Sequence, residues 1–497
     1  MCSDLMPSQS RTTTFGSRPQ TVAQVLELNF ESTSLSPNRM NRRTSATSQL
    51  ARFVATYTPS GCKVNIHANA EYKIRHVSCT EQGGSRLSNS FDVRPYEIRI
   101  PDADLHDMME RLKRTRFPQD FANEDWRYGY NTEYHRTLID YWINEYDWRA
   151  VERRMNELPH FKVDLMGVPL HFIHVRGKGL NPKPLLLHHG WPWTFWDVRK
   201  IIEPLTDPVK FGGQECDSFD VVLISLPGYG FSSPLTETGW NFWKTADLEN
   251  VLMKQVLGYE RYATAGGDWG ALIAQQHGHK YESDVIGVYT HFPAQLSHYL
   301  AEHPDQPEGV EYDPALGLPA SSEYSTDEAG WFERGKLFVE NESGYGELQL
   351  TKPQTLAALV ADSPAAQLAW ITEKRYFWGL AERGSGTEAF EGVWPKEDLI
   401  TTAAVYFLTG TGGTSSRYYW ECRGNPWTPS HDRVPVVGVP TAVSIYPGEI
   451  YKPPKTWTEK YFNLQQYRVH SSGGHFAPLE EPEIYVADVR DFFRTLS

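Results

Sequence analysis

One acidic residue, Asp268, lies in a run of small residues that is typical of a catalytic turn. Residues 265–271 read AGGDWGA, directly after the apolar strand pattern of residues 262–265 and at the start of a helical pattern. Small residues on both sides of a polar one permit the strained strand-to-helix turn called a nucleophile elbow. A carboxylate in that place attacks carbon and forms an alkyl ester, which is chemistry suited to epoxides or alkyl halides. The alternative is an aspartate that only caps the helix.

A second segment, residues 189–192 with the sequence HGWP, follows the apolar strand pattern of residues 185–188. A loop in this place supplies one backbone N–H to an oxyanion hole, and the residue after the nucleophile supplies the other. The predicted donors are therefore the amides of Trp191 and Trp269. Pro192 restricts Trp191 to an extended geometry, with a cis bond as one option. A simple proline turn is the alternative.

Such a nucleophile needs a general base and an acid that orients it, both later in the chain. His475 lies in a glycine-rich stretch, residues 472–478 (SGGHFAP), after a strand pattern at residues 466–469. Glu449 follows the strand pattern of residues 441–446. We predict that His475 is the base and that Glu449 orients it. Two alternatives stay open, because a lone histidine is more often structural and Glu449 could equally be a surface turn residue.

The elements that must position these residues alternate between strands and helices after residue 161. Before that point, the patterns predict a strand over residues 93–101 and helices over residues 102–114 and 134–156. The later strand patterns cover residues 161–165, 168–175, 185–188, 220–226, 262–265, 285–289, 441–446 and 466–469. Alternation of this kind predicts an α/β protein with a mostly parallel central sheet. Residues 294–433 interrupt this alternation and are predicted to be an insertion that is mostly helical and rich in aromatic residues. Its helices are predicted to start at Gln354 and at Ser363-Pro364.

Composition excludes several classes of protein. The 48 basic and 62 acidic residues give a formal net charge of −14, which disfavours nucleic acids and anionic membranes as partners. The five cysteines show no C-x-x-C spacing, which argues against a disulfide scaffold or a zinc ribbon and favours a reducing compartment such as the cytoplasm. No apolar stretch approaches the ~20 residues of a membrane-spanning helix. Residues 1–90, rich in Ser, Thr, Arg and Asn, are predicted to be a disordered tail, and a targeting role is the alternative.

The chain from about residue 91 to the C-terminus resembles the microsomal type of epoxide hydrolase. The HGWP and GGDWG segments carry this resemblance, together with residues 362–364 (DSP), the AW and EK pairs that follow them, and the His475 loop. It implies an α/β-hydrolase fold with a mostly parallel central sheet, a helical lid insertion and an N-terminal helical meander. The implied divisions are a tail (1–90), the meander (91–160), the first part of the core (161–293), the lid (294–433) and the second part of the core (434–497). Relatives that bind membranes carry an N-terminal hydrophobic anchor, and residues 1–90 contain none.

The resemblance also implies two lid tyrosines that donate hydrogen bonds to the epoxide oxygen. They are Tyr345, in an SGY segment, and Tyr419, in a YYWE segment where a one-residue error of register would select Tyr418 instead. In the implied reaction Asp268 forms a covalent ester, and His475 with Glu449 activates the water that hydrolyses it to a vicinal diol. The partners are a small-molecule epoxide and water, no metal or organic cofactor is required, and the oligomeric state, a homodimer included, stays open.

Three other functions compete with this interpretation. A haloalkane dehalogenase shares the aspartate elbow but needs Trp or Asn side chains around the halide, and paired lid tyrosines point away from it. An esterase is disfavoured because no Gly-x-Ser-x-Gly replaces the elbow of Asp268. A non-catalytic binding protein of the same fold usually lacks one of the three triad residues, whereas Asp268, Glu449 and His475 are all present.

Overall fold

The computed structural model describes residues 91–294, 318–379 and 386–496, together with short strands at residues 56–58, 61–63 and 312–313. The chain divides into two compact units, Met1–Leu87 and Ser88–Ser497. In the first unit, an antiparallel pair is formed by β1 (Thr56–Thr58) and β2 (Gly61–Lys63). Apart from this pair, the predicted tail lies outside the described residues.

The second unit begins with one short strand and three helices that precede the main sheet. Their bounds are β3 (Arg94–Tyr96), α1 (Asp102–Lys113), α2 (Thr132–Asn144) and α3 (Trp148–Met155). Two predictions were wrong here. The strand predicted over residues 93–101 ends at Tyr96, because the side chain of Asn156 binds both backbone polar groups of Ile98 and so replaces a neighbouring strand. The helical pattern of residues 134–156 belongs to two helices rather than one.

The first part of the sheet then alternates with helices. Its elements are β4 (His160–Leu165), β5 (Val168–Val175), β6 (Lys183–His188), α4 (Arg199–Thr206), β7 (Phe219–Ile224), α5 (Phe242–Val251), β8 (Tyr262–Gly266), α6 (Trp269–Lys280) and β9 (Val285–Thr290). Every residue of β7 and β8 is buried, as expected for strands covered by helices on both faces.

A helical region follows the first part of the sheet. After the short antiparallel pair β10 (Tyr312–Asp313) and β11 (Leu318–Pro319), its helices are α7 (Ala329–Asn341), α8 (Gly344–Thr351), α9 (Pro353–Asp362), α10 (Pro364–Trp378), α11 (Gly386–Val393), α12 (Lys396–Leu408) and α13 (Thr411–Gly424). Ser363 caps α10, since its hydroxyl accepts a hydrogen bond of 3.1 Å from the amide of Ala366.

The chain returns to the sheet through β12 (Val437–Ile445), α14 (Lys455–Tyr461), β13 (Phe462–Val469), α15 (Ala477–Glu480) and α16 (Pro482–Arg494). Both strands begin earlier than predicted, because parallel pairing already starts between Val437 and Phe462. The nine strands of the sheet follow the order β13-β12-β9-β8-β6-β7-β5-β4-β3.

The strands from β13 to β7 run parallel, while β5, β4 and β3 extend the sheet in antiparallel pairing. This confirms the predicted mostly parallel sheet. Because β6, β8, β9 and β12 are neighbours and parallel, the loops at their carboxyl ends meet at one edge of the sheet. The loops after β6, β8 and β12 carry Trp191, Asp268 and Glu449, Trp269 begins α6, and His475 follows the neighbouring strand β13. No described helix is long and apolar enough to cross a lipid bilayer.

Candidate active site

Asp268 lies at the turn between β8 and α6, in a backbone conformation that residues with side chains rarely adopt. Its φ is 53° and its ψ is −131°, and such strain concentrates at functional sites. The glycines around it are required by packing. A Cβ atom on Gly266 would lie 2.6 Å from the carbonyl of Gly270, and one on Gly270 would lie 2.6 Å from Cβ of His188. The turn therefore forms only with small residues in these places.

The loop after β6 reaches the carboxylate of Asp268. The backbone N–H of Trp191 donates a hydrogen bond of 2.7 Å to Oδ1 of Asp268. A Cβ atom on Gly190 would lie 2.3 Å from the same oxygen, so the loop can approach this closely only at a glycine. The peptide bond between Trp191 and Pro192 is cis. Trp269 is the first residue of α6, and within the described residues no hydrogen bond joins its amide to Asp268.

His475 and Glu449 lie beside the other carboxylate oxygen. Nε2 of His475 is 3.3 Å from Oδ2 of Asp268, and its Nδ1 is 2.6 Å from Oε1 of Glu449. Both side chains are fully buried. The backbone also fixes the pair: the amide of Ile450 donates to Oε1 of Glu449, and the amide of His475 donates to the carbonyl of Trp378.

Burial alone would lower the pKa of His475, because it disfavours the imidazolium. The negative charge of Glu449 and the contacts with Asp268 outweigh burial, so the pKa of His475 rises to about 9. The imidazole therefore holds its proton more tightly than an ordinary histidine does. Loss of either carboxylate charge would make the ring a weaker base.

Tyr345 on α8 and Tyr419 on α13 meet above this group of residues. Their ring centroids are 6.0 Å apart, and their hydroxyls hydrogen-bond each other. Burial first, and the charge of Asp268 in addition, raise the pKa of both phenols, so both hydroxyls keep their protons and can donate. The hydroxyl of Tyr418 instead lies 2.8 Å from the hydroxyl of Thr245. The ring centroid of Tyr418 lies 5.3 Å from that of Trp269 and the centroid of Tyr419 lies 4.8 Å from it, while the hydroxyl of Tyr419 pairs with that of Tyr345.

Two residues that support the site were missed from the sequence. Arg375, on α10, donates hydrogen bonds to the carbonyl of Pro192 at 2.9 Å and to Asp197 at 2.7 Å, which ties the helical region to the HGWP loop. His291, just after β9, lies behind the elbow, where a Cβ atom on Gly267 would approach its ring to 2.1 Å. Burial lowers the pKa of His291 to about 4, so this ring is neutral. Neither residue belongs to a sequence motif, since their partners come from distant segments.

One cluster within the described parts of the chain has the composition of a metal site. It consists of His188, Glu249 and His277, all buried, with ligand atoms within 4.8 Å of one another. Oε2 of Glu249 lies 2.7 Å from Nε2 of His188 and 2.9 Å from Nε2 of His277, which are hydrogen-bond distances. The cluster is thus a buried hydrogen-bonded network in which both histidines bind Oε2 of Glu249, and sequence analysis did not predict it.

A cavity of about 710 Å³ lies between the helices that precede the sheet and the helical region. Its wall is mainly apolar and includes Phe117, Leu356 and Trp370. Tyr345 and Lys374 also line it, so the cavity reaches one of the two tyrosines of the site.

Comparisons with known proteins agree with this arrangement. Residues 93–198 match the family described as "Epoxide hydrolase N terminus", and residues 183–315 match the α/β hydrolase fold. Epoxide hydrolase 1 of Oryctolagus cuniculus is 34% identical over 411 residues, which cover 80% of this chain and 88% of that protein. Epoxide hydrolase 1 of Sus scrofa is 33% identical, and the aligned region covers 83% of this chain and 91% of that protein.

Solved structures give the same result. The juvenile hormone epoxide hydrolase of Bombyx mori superposes with a TM-score of 0.71 at 27% identity, covering 82% of this chain and 95% of that one. The epoxide hydrolase of Aspergillus niger superposes with a TM-score of 0.68 at 25% identity, covering 82% of this chain and 98% of that one. With relatives above 30% identity that match along most of both sequences, the chain belongs to the epoxide hydrolase family of the α/β-hydrolase fold.

Proposed function

We propose that the enzyme opens its epoxide through a covalent ester on Asp268. Oδ1 is held by the amide of Trp191, so Oδ2 is the oxygen free to attack the less hindered ring carbon. The new C–O bond forms as the ring C–O bond breaks. The ring oxygen leaves as an alkoxide and takes a proton from the hydroxyl pair of Tyr345 and Tyr419. Oδ1 then becomes the carbonyl oxygen of the ester.

Hydrolysis of the ester is the second step. Nε2 of His475, which lies 3.3 Å from Oδ2 in the free enzyme, removes a proton from water, and this water attacks the ester carbon. The amide of Trp191, with that of Trp269 as the predicted second donor, stabilises the tetrahedral oxyanion. Collapse of this intermediate breaks the bond between Cγ of Asp268 and the alkyl oxygen. That oxygen takes the remaining hydrogen of the attacking water, and the diol is released. The proton on His475 replaces the one that the tyrosines gave up, so one epoxide and one water yield one diol.

The observation that carries this proposal is the position of the Asp268 carboxylate. One oxygen accepts from a backbone amide and the other faces an imidazole that is itself bound to Glu449. A capping aspartate would accept from amides of its own helix, and the side chain of Asp268 makes no such bond among the described residues. A carboxylate arranged as a nucleophile, rather than as a cap, fits the ester mechanism.

A single turnover in H2¹⁸O, with enzyme in excess over a styrene-type epoxide, tests the covalent step. Water attacks the ester carbonyl in the proposed mechanism, so the label enters the carboxylate of Asp268 and the first diol is unlabelled. Mass spectrometry of the diol and of the peptide containing Asp268 measures both. If water attacked the epoxide directly, the label would appear in the diol and the peptide would stay unlabelled.

A further inference from the structure

Lys374, on α10, is a buried cation enclosed by aromatic rings of the site. Only 4% of the surface of Lys374 is exposed to solvent. The ammonium lies 4.8 Å from the ring centroid of Tyr345, 5.1 Å from that of Trp370 and 5.7 Å from that of Trp378. These distances are within the range of cation–π attraction. The ammonium also contacts the carboxylate of its neighbour Glu373.

The ring of Tyr345 is enclosed from both sides. The indole of Trp191 stacks on it with centroids 5.0 Å apart and an interplanar angle of 6°. Since the indole covers one face, the ammonium of Lys374 occupies the other. A cation at the face of a phenol stabilises negative charge on that phenol, which makes its hydroxyl a stronger donor. The negative charges of Asp268 and Glu373 act on Tyr345 in the opposite direction.

We propose that Lys374 is a positioning residue that acts through Tyr345, holding its ring against Trp191 and strengthening its hydroxyl as a donor to the epoxide oxygen. The inference rests on the proposed function, because it gives Tyr345 its role in ring opening. Lys374 needs no contact with the substrate. Its effect belongs to the alkylation step, when the alkoxide forms, and ester hydrolysis should be independent of it.

A purely structural role for Lys374 predicts different effects of its replacement on stability and on the rates of the two chemical steps. Transfer of an ammonium from water into an aromatic enclosure costs free energy, whereas methionine has nearly the same length and no charge to desolvate. Lys374→Met should therefore fold at least as well as the wild type while it opens epoxides more slowly. If Lys374 only supported the fold, stability would fall and both chemical steps would slow together.

The test compares single-turnover alkylation rates in two backgrounds, wild type and Tyr345→Phe. Lys374→Met should slow alkylation roughly tenfold in the wild-type background, the size expected for a desolvated cation–π pair. In the Tyr345→Phe background it should have little effect, because the hydroxyl through which it acts is absent. Lys374→Arg keeps the cation and should recover most of the rate. Lys374→Gln repeats the measurement with a second neutral side chain, so the test does not depend on the folding of one variant.

The matched control is Lys396→Met on α12, where the ammonium lies 6.0 Å from the ring centroid of Tyr141, outside the site. Its alkylation rate should equal that of the wild type. An unchanged rate for both neutral variants of Lys374, or an equal loss in both backgrounds, would overturn the inference while leaving the ester mechanism intact. If the wild type and Lys396→Met formed no ester with the epoxide, the proposed function itself would fail, and the inference with it.

Discussion

The indole ring of Trp191 stacks on the phenol ring of Tyr345, at a centroid distance of 5.0 Å. The backbone amide of the same tryptophan donates to Oδ1 of Asp268. One residue of the HGWP loop therefore contacts both the proposed nucleophile and a proposed donor to the leaving oxygen. In addition, Arg375 binds the carbonyl of Pro192, so the helical region and the loop are fixed to each other next to the reacting atoms.

The two tyrosines should show redundancy. Tyr345→Phe and Tyr419→Phe each remove one hydroxyl while the ring volume stays, so folding should be little changed. The other hydroxyl still donates, and each single variant should lose less than the roughly 10²–10³-fold in rate that a lost transition-state donor typically costs. The double variant should lose most of its alkylation rate, because groups that act as a unit are not additive. Single-turnover alkylation measures this directly.

Tyr418→Phe is the matched control, because it removes a hydroxyl that lies 2.8 Å from the hydroxyl of Thr245. Its alkylation rate should stay near that of the wild type. Wild-type alkylation by the double variant would remove the main support for epoxide opening assisted by the tyrosines. The dehalogenase alternative would then be tested by measuring halide release from alkyl halides.

His475→Gln should separate the two chemical steps. Attack by Asp268 needs no base, whereas hydrolysis of the ester does, so the variant should accumulate the alkyl-enzyme. Intact-protein mass spectrometry after addition of an epoxide should show an adduct of the substrate mass. Turnover of this variant at the wild-type rate would show that His475 is not the base.

The pH dependence of hydrolysis follows from the charges around His475. Its pKa is about 9 in the free enzyme, because Glu449 and Asp268 raise it more than burial lowers it. Formation of the ester removes the charge of Asp268, so the pKa of His475 should fall below this value at the moment when a neutral base is needed. Hydrolysis should therefore rise with pH and level off below pH 9, as measured by stopped-flow decay of the ester. A plateau that begins above this pH would contradict the assignment.

Gly190→Ala should abolish alkylation through contact with the nucleophile. The added Cβ atom would lie 2.3 Å from Oδ1 of Asp268, so either the carboxylate or the loop must move. Gly330→Ala on α7 is the control, since no atom lies within 4 Å of its added Cβ and alanine favours a helix by about 0.5–1 kcal/mol. Activity assays and thermal unfolding should show an inactive, folded first variant and an active, slightly stabilised second one. A fully active Gly190→Ala enzyme would refute the close approach.

The sequence predicts the parts of the molecule that depend on local patterns. The parallel sheet follows from apolar strands such as β7 and β8. The turn at Asp268 follows from its glycines, at each of which an added Cβ atom would lie under 3 Å from a backbone or side-chain atom. Glu449 and His475 could be placed because chain order restricts the choices. The catalytic roles of Glu449 and His475 stay predictions, and so do those of the two tyrosines and of the two oxyanion donors.

Contacts between distant segments could not be predicted. The strand expected up to residue 101 ends at Tyr96 because Asn156, from a later helix, takes the hydrogen bonds of Ile98. Arg375, Lys374 and His291 matter only through partners that the fold brings to them. Among the lid tyrosines, periodicity gives no preference between Tyr418 and Tyr419, and only the packing of α13 shows which one faces Asp268.

The cluster of His188, Glu249 and His277 provides a prediction about stability and pH. Nδ1 of His188 lies 3.1 Å from the carbonyl oxygen of Ala265, and its Nε2 lies 2.7 Å from Oε2 of Glu249, so both ring nitrogens face oxygen atoms. Burial acts to raise the pKa of Glu249, but the charge of His188 and the hydrogen bonds from both histidines lower it further than burial raises it. The network is thus a buried carboxylate that two histidines hold, and one of them, His188, also contacts the carbonyl of Ala265 in the strand before the elbow.

Glu249→Gln should therefore destabilise the enzyme at neutral pH, by about 1–3 kcal/mol, because it replaces the buried carboxylate that binds both histidines with a neutral and weaker acceptor. The pKa of Glu249 is lower in the folded state than its ordinary value of 4.5. The stabilisation it provides is therefore complete above that value and is lost as the pH falls through the folded-state pKa. Denaturant unfolding from pH 7 to pH 3.5 should show a constant difference in unfolding free energy between the wild type and the variant above about pH 5. Below that pH the difference should become smaller.

The control is Glu157→Gln, because Glu157 is exposed. This substitution should change the free energy of unfolding by less than about 0.5 kcal/mol throughout. Equal stability of Glu249→Gln and the wild type at pH 7 would mean that the Glu249 carboxylate does not stabilise the fold through its two histidine partners.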